Sequence, residues 1–318
     1  MRYLVVGAGG TGGALAAYLA GGGQEVTLIA RGAHLEAIRT RGLELKMGEE
    51  SSLVKLPACT MEEYEEKRRS GEEPAPGAVF VCVKGYSLPE TADFLQKVVG
   101  DGTVVIPILN IYGTGGLLQQ KLPEIVVTDG CIYIASQKEA PGIIKMNGPL
   151  LRVVYGLRQD TPPEVRERVK ARLEEIRDGL TSSKIKAVLS EQIEADAFRK
   201  YTLISPMATL GAALNTSARD MQPGGAQRDT FGKLVQELMA LAKAKSIELP
   251  DDMVEKNLDI MDHMTPDTTA SMQRDVAAGN PSEVEGLVYE VVRQAHSLGV
   301  PVPEYERLAG MLRERGLK

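Results

Sequence analysis

The chain has 318 residues, 43% of them apolar, and a formal net charge of −6. Chains longer than about 250 residues usually divide into domains, so we expect two. Acidic and basic residues are intermixed, which argues against a nucleic-acid-binding surface, and no apolar stretch reaches the roughly 18 residues of a membrane-spanning helix.

The cysteines, Cys59, Cys82 and Cys131, are widely spaced and form no CxxC pair. Since the few histidines form no cluster either, we expect no structural metal site. Cys82 and Cys131 lie within apolar runs, which favours buried small side chains over redox function. This pattern is typical of a reducing cytoplasm. The chain also starts directly with a predicted strand, so no export signal is expected.

In the first half, short apolar runs alternate with helical patterns. Strands are predicted at 3–6, 26–30, 53–56, 78–83 and 103–109, with helices beginning near Thr11 and Ser87. This alternation predicts a parallel sheet. Further β-rich runs at 125–135 and 151–155, an edge loop or hairpin at 137–148 and a charged helix at 163–178 extend the first domain to residue 189.

From residue 190 onward, apolar positions recur with helical spacing. Helices are predicted at 194–213, 227–245, 251–261, 268–278, 282–297 and 304–315. Asn280 followed by Pro281 is expected to begin the fifth of these helices, and Gly299 to end it. The predicted fold is therefore α/β: an N-terminal Rossmann-type doubly wound parallel sheet (1–189) and a C-terminal all-α domain (190–318), with a ligand in the cleft between them.

A glycine-rich turn follows the first predicted strand and opens a helix. It contains Gly7, Gly9, Gly10, Thr11 and Gly12, in the spacing GxGxxG. Such glycines allow a tight turn, a close approach of the backbone to a pyrophosphate, and close packing of helix on strand. The helix N-terminus then faces the phosphates. The turn therefore predicts a dinucleotide site.

Arg31 indicates which dinucleotide is bound. An NAD site usually has a carboxylate at the end of the second strand, but this strand ends Leu28-Ile29-Ala30-Arg31. A guanidinium suits a 2′-phosphate, so NADPH is favoured over the alternative of an ordinary surface arginine. Lys84 and Asn110 follow later strands, at the sheet edge where ligands collect, and we expect both to face the cofactor.

These motifs, with two further segments, resemble the ketopantoate reductase family. The further segments are Ala-Phe-Arg-Lys at 197–200 and Ala-Ser-Met-Gln-Arg-Asp at 270–275, the latter followed by Pro-Ser-Glu at 281–283. The resemblance implies NADPH-dependent reduction of a small 2-oxo acid. For the family's own reaction, ketopantoate would be reduced to pantoate in the route to coenzyme A.

The resemblance also implies residue roles. Lys200 would be the catalytic lysine, which contacts the substrate, stabilises the developing oxyanion and protonates it. Glu283 would be the acidic partner near the catalytic centre and the cofactor. Ser271 would donate a hydroxyl hydrogen bond to the substrate, while Lys84 and Asn110 would contact the cofactor or the substrate.

The sequence departs from the family pattern at two positions C-terminal to Lys200. Asparagines that are common four and eight residues later are replaced by Ile204 and Ala208. Either Ser205 and Asn215 supply the missing polar contacts after a local register shift, or the substrate is a more apolar 2-oxo acid. A third reading, a non-catalytic NADPH-binding sensor, also accommodates these changes.

The expected partner is a small molecule, with neither nucleic acid nor membrane. Apolar faces on the helices after residue 190 could pair two subunits, which favours a homodimer.

Overall fold

The computed structural model describes residues 1–317; Lys318, the last residue of the predicted second domain, lies outside this range. The chain forms two compact units. The first comprises Met1–Leu109 with Gly113–Ile193, and the second Asn110–Tyr112 with the residues from Glu194 onward. The sequence had assigned 110–112 to the first domain. They group with the helical unit because the ring of Tyr112 packs against Phe198 there, with ring centroids 4.8 Å apart.

The strands are, in chain order, β1 Arg2–Val6, β2 Glu25–Ile29, β3 Leu43–Met47, β4 Glu50–Val54, β5 Ala58–Cys59, β6 Ala78–Val81, β7 Val104–Pro107, β8 Val126–Val127, β9 Asp129–Ala140, β10 Ile143–Gly156 and β11 Lys186–Leu189. The helices of the first unit are α1 Gly10–Gly21, α2 Gly32–Arg41, α3 Met61–Ser70, α4 Leu88–Val98, α5 Thr114–Lys121 and α6 Pro163–Ser182.

The second unit contains helices and a short π-helical segment. Its helices are α7 Ile193–Leu214, α8 Ala218–Met221, α9 Arg228–Ala244, α10 Met253–Asp262, α11 Ser271–Ala277, α12 Glu290–Ser297 and α13 Pro303–Glu314. The π-helical segment, Glu285–Tyr289, leads directly into α12 and is called the π-turn below.

The parallel sheet predicted for the first unit is confirmed. Its strand order is β5-β2-β1-β6-β7-β8, and each pairing is parallel. Alternate residues of β1 enter different cores: Val5 packs with Leu15 of α1, whereas Val6 packs with Leu95 of α4. Helices therefore cover both faces, which explains why the strands are continuous apolar runs. All carboxyl ends lie at one edge, where the glycine turn begins.

A second sheet was not predicted. Its order is β11-β10-β3-β4, and β9 pairs with β10 in a long antiparallel hairpin that includes the segment 137–148. Gly142, with φ +80°, lies in the hairpin turn. The polar, Gly- and Pro-containing composition of this segment hides its strands. The brief predicted strand at 53–56 lies three residues earlier, at Glu50–Val54, paired with β3.

Three helices of the first unit were also missed, namely α2, α3 and α5. Helix α3 is very polar and buries only Tyr64 among its residues, so it carries no apolar periodicity. Its start nevertheless has a sequence signal, because Thr60 and Glu63 form a reciprocal capping box. Helix α2 likewise packs against a sheet on one side with few apolar residues.

The predicted helix start at Asn280-Pro281 is wrong. The amide of Asn280 donates to the carbonyl of Asp275 at 2.9 Å, and Gly279 has φ +67°, so both residues end α11. The next helical turn begins at Val284. The predicted end at Gly299 is confirmed: it has φ +67°, and Val300 N donates to Ala295 O at 2.9 Å, as in a Schellman motif.

Within residues 1–317, no helix is long and apolar enough to cross a bilayer. The same residues contain no group of three or more His, Cys, Asp or Glu side chains arranged to hold a metal ion.

Candidate active site

The glycine turn has the geometry of a dinucleotide-binding loop. Gly7 follows β1 with φ +104°, and Gly9 is the N-cap of α1. A Cβ on Gly12 would lie 1.9 Å from the carbonyl oxygen of Gly7, so only glycine lets the helix approach the turn. Among the described residues, no atom lies within 4 Å of a Cβ built on Gly9. That open side, next to the amides of the helix N-terminus, fits a pyrophosphate.

The remaining glycine of the turn serves another contact. A Cβ on Gly10 would lie 2.7 Å from the backbone of Gln137, so the β9–β10 hairpin lies against the first turn of α1. Thr11 is half-buried in that same turn. The glycine at position 10 of the dinucleotide loop thus also meets a second requirement, which comes from the hairpin at 137–148.

Arg31 lies at the point where the chain passes from β2 to α2. It is the N-cap of α2, two residues beyond the end of β2, and its side chain is exposed. Arg39, one of the other arginines of this segment, is committed elsewhere: it pairs with Glu63, and its Nε donates to Ala58 O at 3.1 Å. Of these two arginines, Arg31 is therefore the better candidate to contact a bound cofactor.

His34, which the sequence reasoning missed, connects α2 to the hairpin. Its Nδ1 accepts a 2.8 Å hydrogen bond from the amide of Gly142, and only 8% of the residue is exposed. Burial, and then the charge of Lys138, lowers the pKa of His34. Its position three residues after Arg31, in the first turn of a helix that follows a strand, was the available signal.

Lys84 is half-buried three residues after β6, as N-cap of a short 3₁₀ turn. Since β6 is the parallel neighbour of β1, Lys84 and the glycine turn share the carboxyl edge of the sheet. Cys82 also adjoins this turn, because a Cβ built on Gly12 would lie 2.9 Å from the Cβ of Cys82. Burial raises the pKa of the Cys82 thiol, which therefore stays protonated and packs as a small apolar group.

In the helical unit, Lys200 and Asn110 are joined directly. Lys200 lies on α7 and is 8% exposed, and its Nζ donates to Asn110 Oδ1 at 2.7 Å. Asn110 is half-buried three residues after the end of β7. A buried ammonium oriented by a neutral amide oxygen can act as a hydrogen-bond and proton donor to an anionic oxygen.

The other two predicted residues of this unit lie on separate elements. Glu283 is 4% exposed and immediately precedes the helical turn at Val284. Ser271 is the first residue of α11 and is half-buried, with Asp275 one turn further along. The structure thus provides a buried carboxylate and a hydroxyl in the same unit as Lys200.

Ser205 is not available for a substrate, which corrects the expectation that it supplies one of the missing polar contacts. It is fully buried, its Oγ donates to Leu287 O at 2.7 Å, and it lies 2.6 Å from Tyr305 Oη. Asn215, with φ +54°, ends α7, and its Oδ1 accepts from Gln273 Nε2 at 3.3 Å. Both polar groups already bind within the protein.

The face of α7 that contains Lys200 is apolar beyond it. Ile204 and Ala208 follow at intervals of four residues, and Ala208 is 1% exposed. Ile204 is half-buried and packs with the core of the helical unit.

A glycine turn for a dinucleotide and a buried lysine are the parts of a nicotinamide-dependent oxidoreductase acting on CH–OH groups. Family models agree with this class over both parts of the chain. The model described as "Ketopantoate reductase PanE/ApbA" matches residues 3–159, and its C-terminal counterpart matches residues 192–316. The chain therefore belongs to the ketopantoate reductase family, which confirms the resemblance seen in the motifs.

Known proteins are similar over nearly the whole chain. An uncharacterized oxidoreductase, YkpB of Bacillus subtilis, is 26% identical over 306 residues, 96% of each chain. A 2-dehydropantoate 2-reductase of Mesorhizobium japonicum is 25% identical over 347 residues, 99% of each chain. The solved D-mandelate dehydrogenase with NADH and anilino(oxo)acetate superposes with a TM-score of 0.84 at 20% identity, covering 99% of this chain and 98% of that one. The family supports 2-dehydropantoate 2-reductase or a related 2-hydroxy-acid dehydrogenase activity with a nicotinamide cofactor.

Proposed function

We propose that this protein is an NADPH-dependent reductase of a 2-oxo acid, with ketopantoate as the first substrate to test. The observation that carries the proposal is the 2.7 Å hydrogen bond from the buried Lys200 ammonium to Asn110. Burying a lysine ammonium costs free energy, so a buried lysine points to a functional role. Reduction of a ketone calls for such a group, because a cation and a proton donor are needed at the carbonyl oxygen.

The proposed reaction adds a hydride to C2 of the oxo acid and a proton to its oxygen. When bound, NADPH supplies the hydride. The Lys200 ammonium stabilises the negative charge that grows on the oxygen and donates the proton, and it later regains one from water. Asn110 keeps the ammonium oriented, so little reorganisation is needed during the reaction. Glu283 orients groups at the reaction centre, and Ser271 donates its hydroxyl hydrogen to the substrate.

Several residues of the first unit would bind the cofactor. Gly9 leaves the backbone accessible to the pyrophosphate, while Gly7, Gly10 and Gly12 allow the close packing that shapes the turn. Thr11 lies in the helical turn whose amides face the pyrophosphate. Arg31 would pair with the 2′-phosphate, which supports NADPH over NADH. Lys84, at the same sheet edge, would contact the cofactor from the neighbouring strand.

A second candidate substrate is a 2-oxo acid with an apolar side chain. It is favoured by the hydrogen bonds of Ser205 to Leu287 and Tyr305, because Ser205 then cannot replace the polar side chains that Ile204 and Ala208 lack. A site that lacks donors for a substrate hydroxyl gains nothing from that hydroxyl and still pays to desolvate it.

The test is the initial rate of NADPH oxidation, followed by absorbance, with ketopantoate beside a panel of 2-oxo acids and with NADH as the control. Turnover of ketopantoate supports the family's own reaction, and preference for an apolar oxo acid supports the second candidate. Tight binding of NADPH without reduction of any oxo acid would instead favour a non-catalytic sensor.

We further propose a cytoplasmic homodimer. The three free cysteines suit a reducing compartment. The helical unit exposes Ile260 and Leu298, 44% and 45% accessible, which suits pairing of two subunits through this unit. Light scattering on the purified protein measures the oligomeric state.

A further inference from the structure

The π-turn, Glu285–Tyr289, begins two residues after Glu283 and is hydrogen-bonded to α7 by two hydroxyls. Tyr201 Oη donates to Gly286 O at 2.9 Å, and Ser205 Oγ donates to Leu287 O at 2.7 Å. A π-helical turn widens the helix and shifts its register by one residue, and such turns are frequent at functional sites. Here successive carbonyls of the wide turn are bound by side chains of the helix that contains Lys200.

The same turn is also connected to Glu283 and to the segment that follows Asn110. Leu287 N donates to Glu283 O at 2.9 Å, so the backbone of Glu283 is part of the turn. A Cβ on Gly286 would lie 2.4 Å from Cδ1 of Ile111, so the side chain of Ile111 lies directly on the Gly286 backbone. Ile111 follows Asn110, the hydrogen-bond partner of Lys200.

These contacts form a closed circuit through the helical unit. It runs from Lys200 to Asn110, from Ile111 to Gly286, and from the π-turn back to α7 through Tyr201 and Ser205. We infer that Tyr201 and Ser205 are positioning residues, which hold the π-turn and thereby fix Glu283 relative to Lys200. The inference rests on the roles proposed above for those two charged residues.

The hydroxyls are well suited to this task. Tyr201 is 6% exposed and Ser205 0%, so neither hydrogen bond competes with water. Burial raises the pKa of Tyr201 and of Tyr305, so both phenols remain protonated. Ser205 also lies 2.6 Å from Tyr305 Oη, which ties the π-turn to α13 as well.

The test compares Tyr201→Phe and Ser205→Ala with a matched control, Thr202→Val. Thr202 is also fully buried on α7, and its Oγ1 donates to Arg199 O at 2.7 Å and accepts from Asn257 Nδ2 at 2.9 Å, away from the π-turn. We expect kcat to fall about 10- to 100-fold in the first two variants, with KM for NADPH unchanged. The control should lose thermal stability without losing kcat.

A spectroscopic measurement makes the result independent of turnover. In protein labelled with ¹³C at the lysine ε-carbon, the Lys200 resonance is assigned from its absence in Lys200→Arg and followed through a pH titration. Tyr201→Phe and Ser205→Ala should change that titration curve, whereas Thr202→Val should not. If all three variants leave the curve and kcat as in the wild type, the inference is overturned. If the wild type reduces no 2-oxo acid, the proposed function fails, yet the resonance still decides the positioning role.

Gly286 allows a rescue experiment. Gly286→Ala should reduce kcat, because the new Cβ would clash with the side chain of Ile111 and displace the turn. The three nearest atoms to that Cβ are Cδ1, Cγ1 and Cγ2 of Ile111. Ile111→Ala removes those atoms, so the double variant should recover activity relative to Gly286→Ala alone. Absence of recovery would show that the Ile111 contact does not hold the turn.

Discussion

Lys200 and Asn110 are 90 positions apart in sequence, and Lys200 Nζ lies 2.7 Å from Asn110 Oδ1. Asn110 reaches this position because residues 110–112 leave the first unit and pack with the helical one. Within the helical unit, the amide oxygen of Asn110 thereby orients the ammonium of Lys200. The relationship gives the lysine a fixed direction before any substrate binds, which is the preorganisation that favours transition-state stabilisation.

Replacement of Lys200 tests its role most directly. Lys200→Ala should reduce kcat by a factor of about 10² to 10⁴, because both charge stabilisation and proton donation are lost. NADPH affinity, measured by fluorescence titration, should change little. Arg199→Ala is the control, since that neighbour is exposed and pairs with Asp196 at 3.1 Å. Retained turnover in Lys200→Ala would exclude it as the proton donor.

Substitutions at two glycines of the turn should affect different properties: one should weaken cofactor binding and the other should destabilise the fold. In Gly9→Ala the new Cβ meets no described atom within 4 Å, so thermal stability should be kept while the Kd for NADPH rises, on the order of ten-fold, as the methyl group obstructs the phosphate. In Gly12→Ala the Cβ would lie 1.9 Å from Gly7 O, and the fold should be destabilised by about 1–3 kcal/mol or more. Gly21→Ala, also open, is the control for both measurements. Equal NADPH affinity in Gly9→Ala and wild type would argue against a pyrophosphate at this turn.

Arg31→Ala should change the choice of cofactor. Loss of a charge-assisted hydrogen bond to the 2′-phosphate should raise KM for NADPH, on the order of ten-fold or more, and leave KM for NADH unchanged. Arg39→Ala should alter neither constant, because Arg39 pairs with Glu63 and bonds Ala58 O. Steady-state kinetics with the two cofactors measures both. The same KM change for NADPH and NADH would place Arg31 outside the phosphate site.

His34 should make the first unit sensitive to acid. Because burial lowers its pKa, the folded state prefers the neutral imidazole, whose Nδ1 accepts from Gly142. The stability it contributes is present above the unfolded pKa of about 6.5 and is lost as the pH falls below that value. His34→Asn keeps an acceptor but does not titrate, so its Tm should decrease less than that of the wild type on acidification.

The exposed His263 provides the control for that experiment. Its pKa is raised by the backbone and carboxylate of Asp259, so its contribution to stability has the opposite sign, increasing on acidification. His263→Gln should therefore not remove the acid sensitivity. If His34→Asn is as acid-sensitive as the wild type, another group causes the loss.

The parts that sequence could predict are those with a local signal. The Gly7–Gly12 spacing, the apolar strands and the helical periodicity of the second half each follow from a few neighbouring residues. The β9–β10 hairpin was recognised only as an edge loop or hairpin, because its stability comes from distant partners such as β3 and α1. A second sheet requires pairing between segments about a hundred residues apart, which no local pattern specifies.

The candidate site shows the same division. Lys200, Ser271 and Glu283 came from the family resemblance, because a lysine next to Arg199 looks like an exposed helix face. Nothing in the sequence indicated that the Ser205 hydroxyl would be hydrogen-bonded to Leu287 O and Tyr305 Oη, since those partners are 82 and 100 positions away. The asparagine-proline pair at 280–281 misled for the opposite reason: its local signal is strong, but the turn that ends α11 takes precedence.

Substrate preference should depend on the face of α7 beyond Lys200. If the second candidate is the substrate, an apolar oxo acid should have a higher kcat/KM than ketopantoate, because the half-buried Ile204 offers no hydrogen-bond donor to a substrate hydroxyl. Ile204→Asn restores the amide that the family often has at this position, and should shift the ratio toward ketopantoate on the order of ten-fold or more. Ile204→Leu, which keeps an apolar side chain of equal size, is the control and should leave the ratio as in the wild type.

The measurement is kcat/KM for both substrates in each variant. An unchanged ratio in Ile204→Asn would mean that the substrate side chain does not contact this face of the helix, because an added amide in contact with it must alter the relative affinities for a hydroxyl and a hydrocarbon.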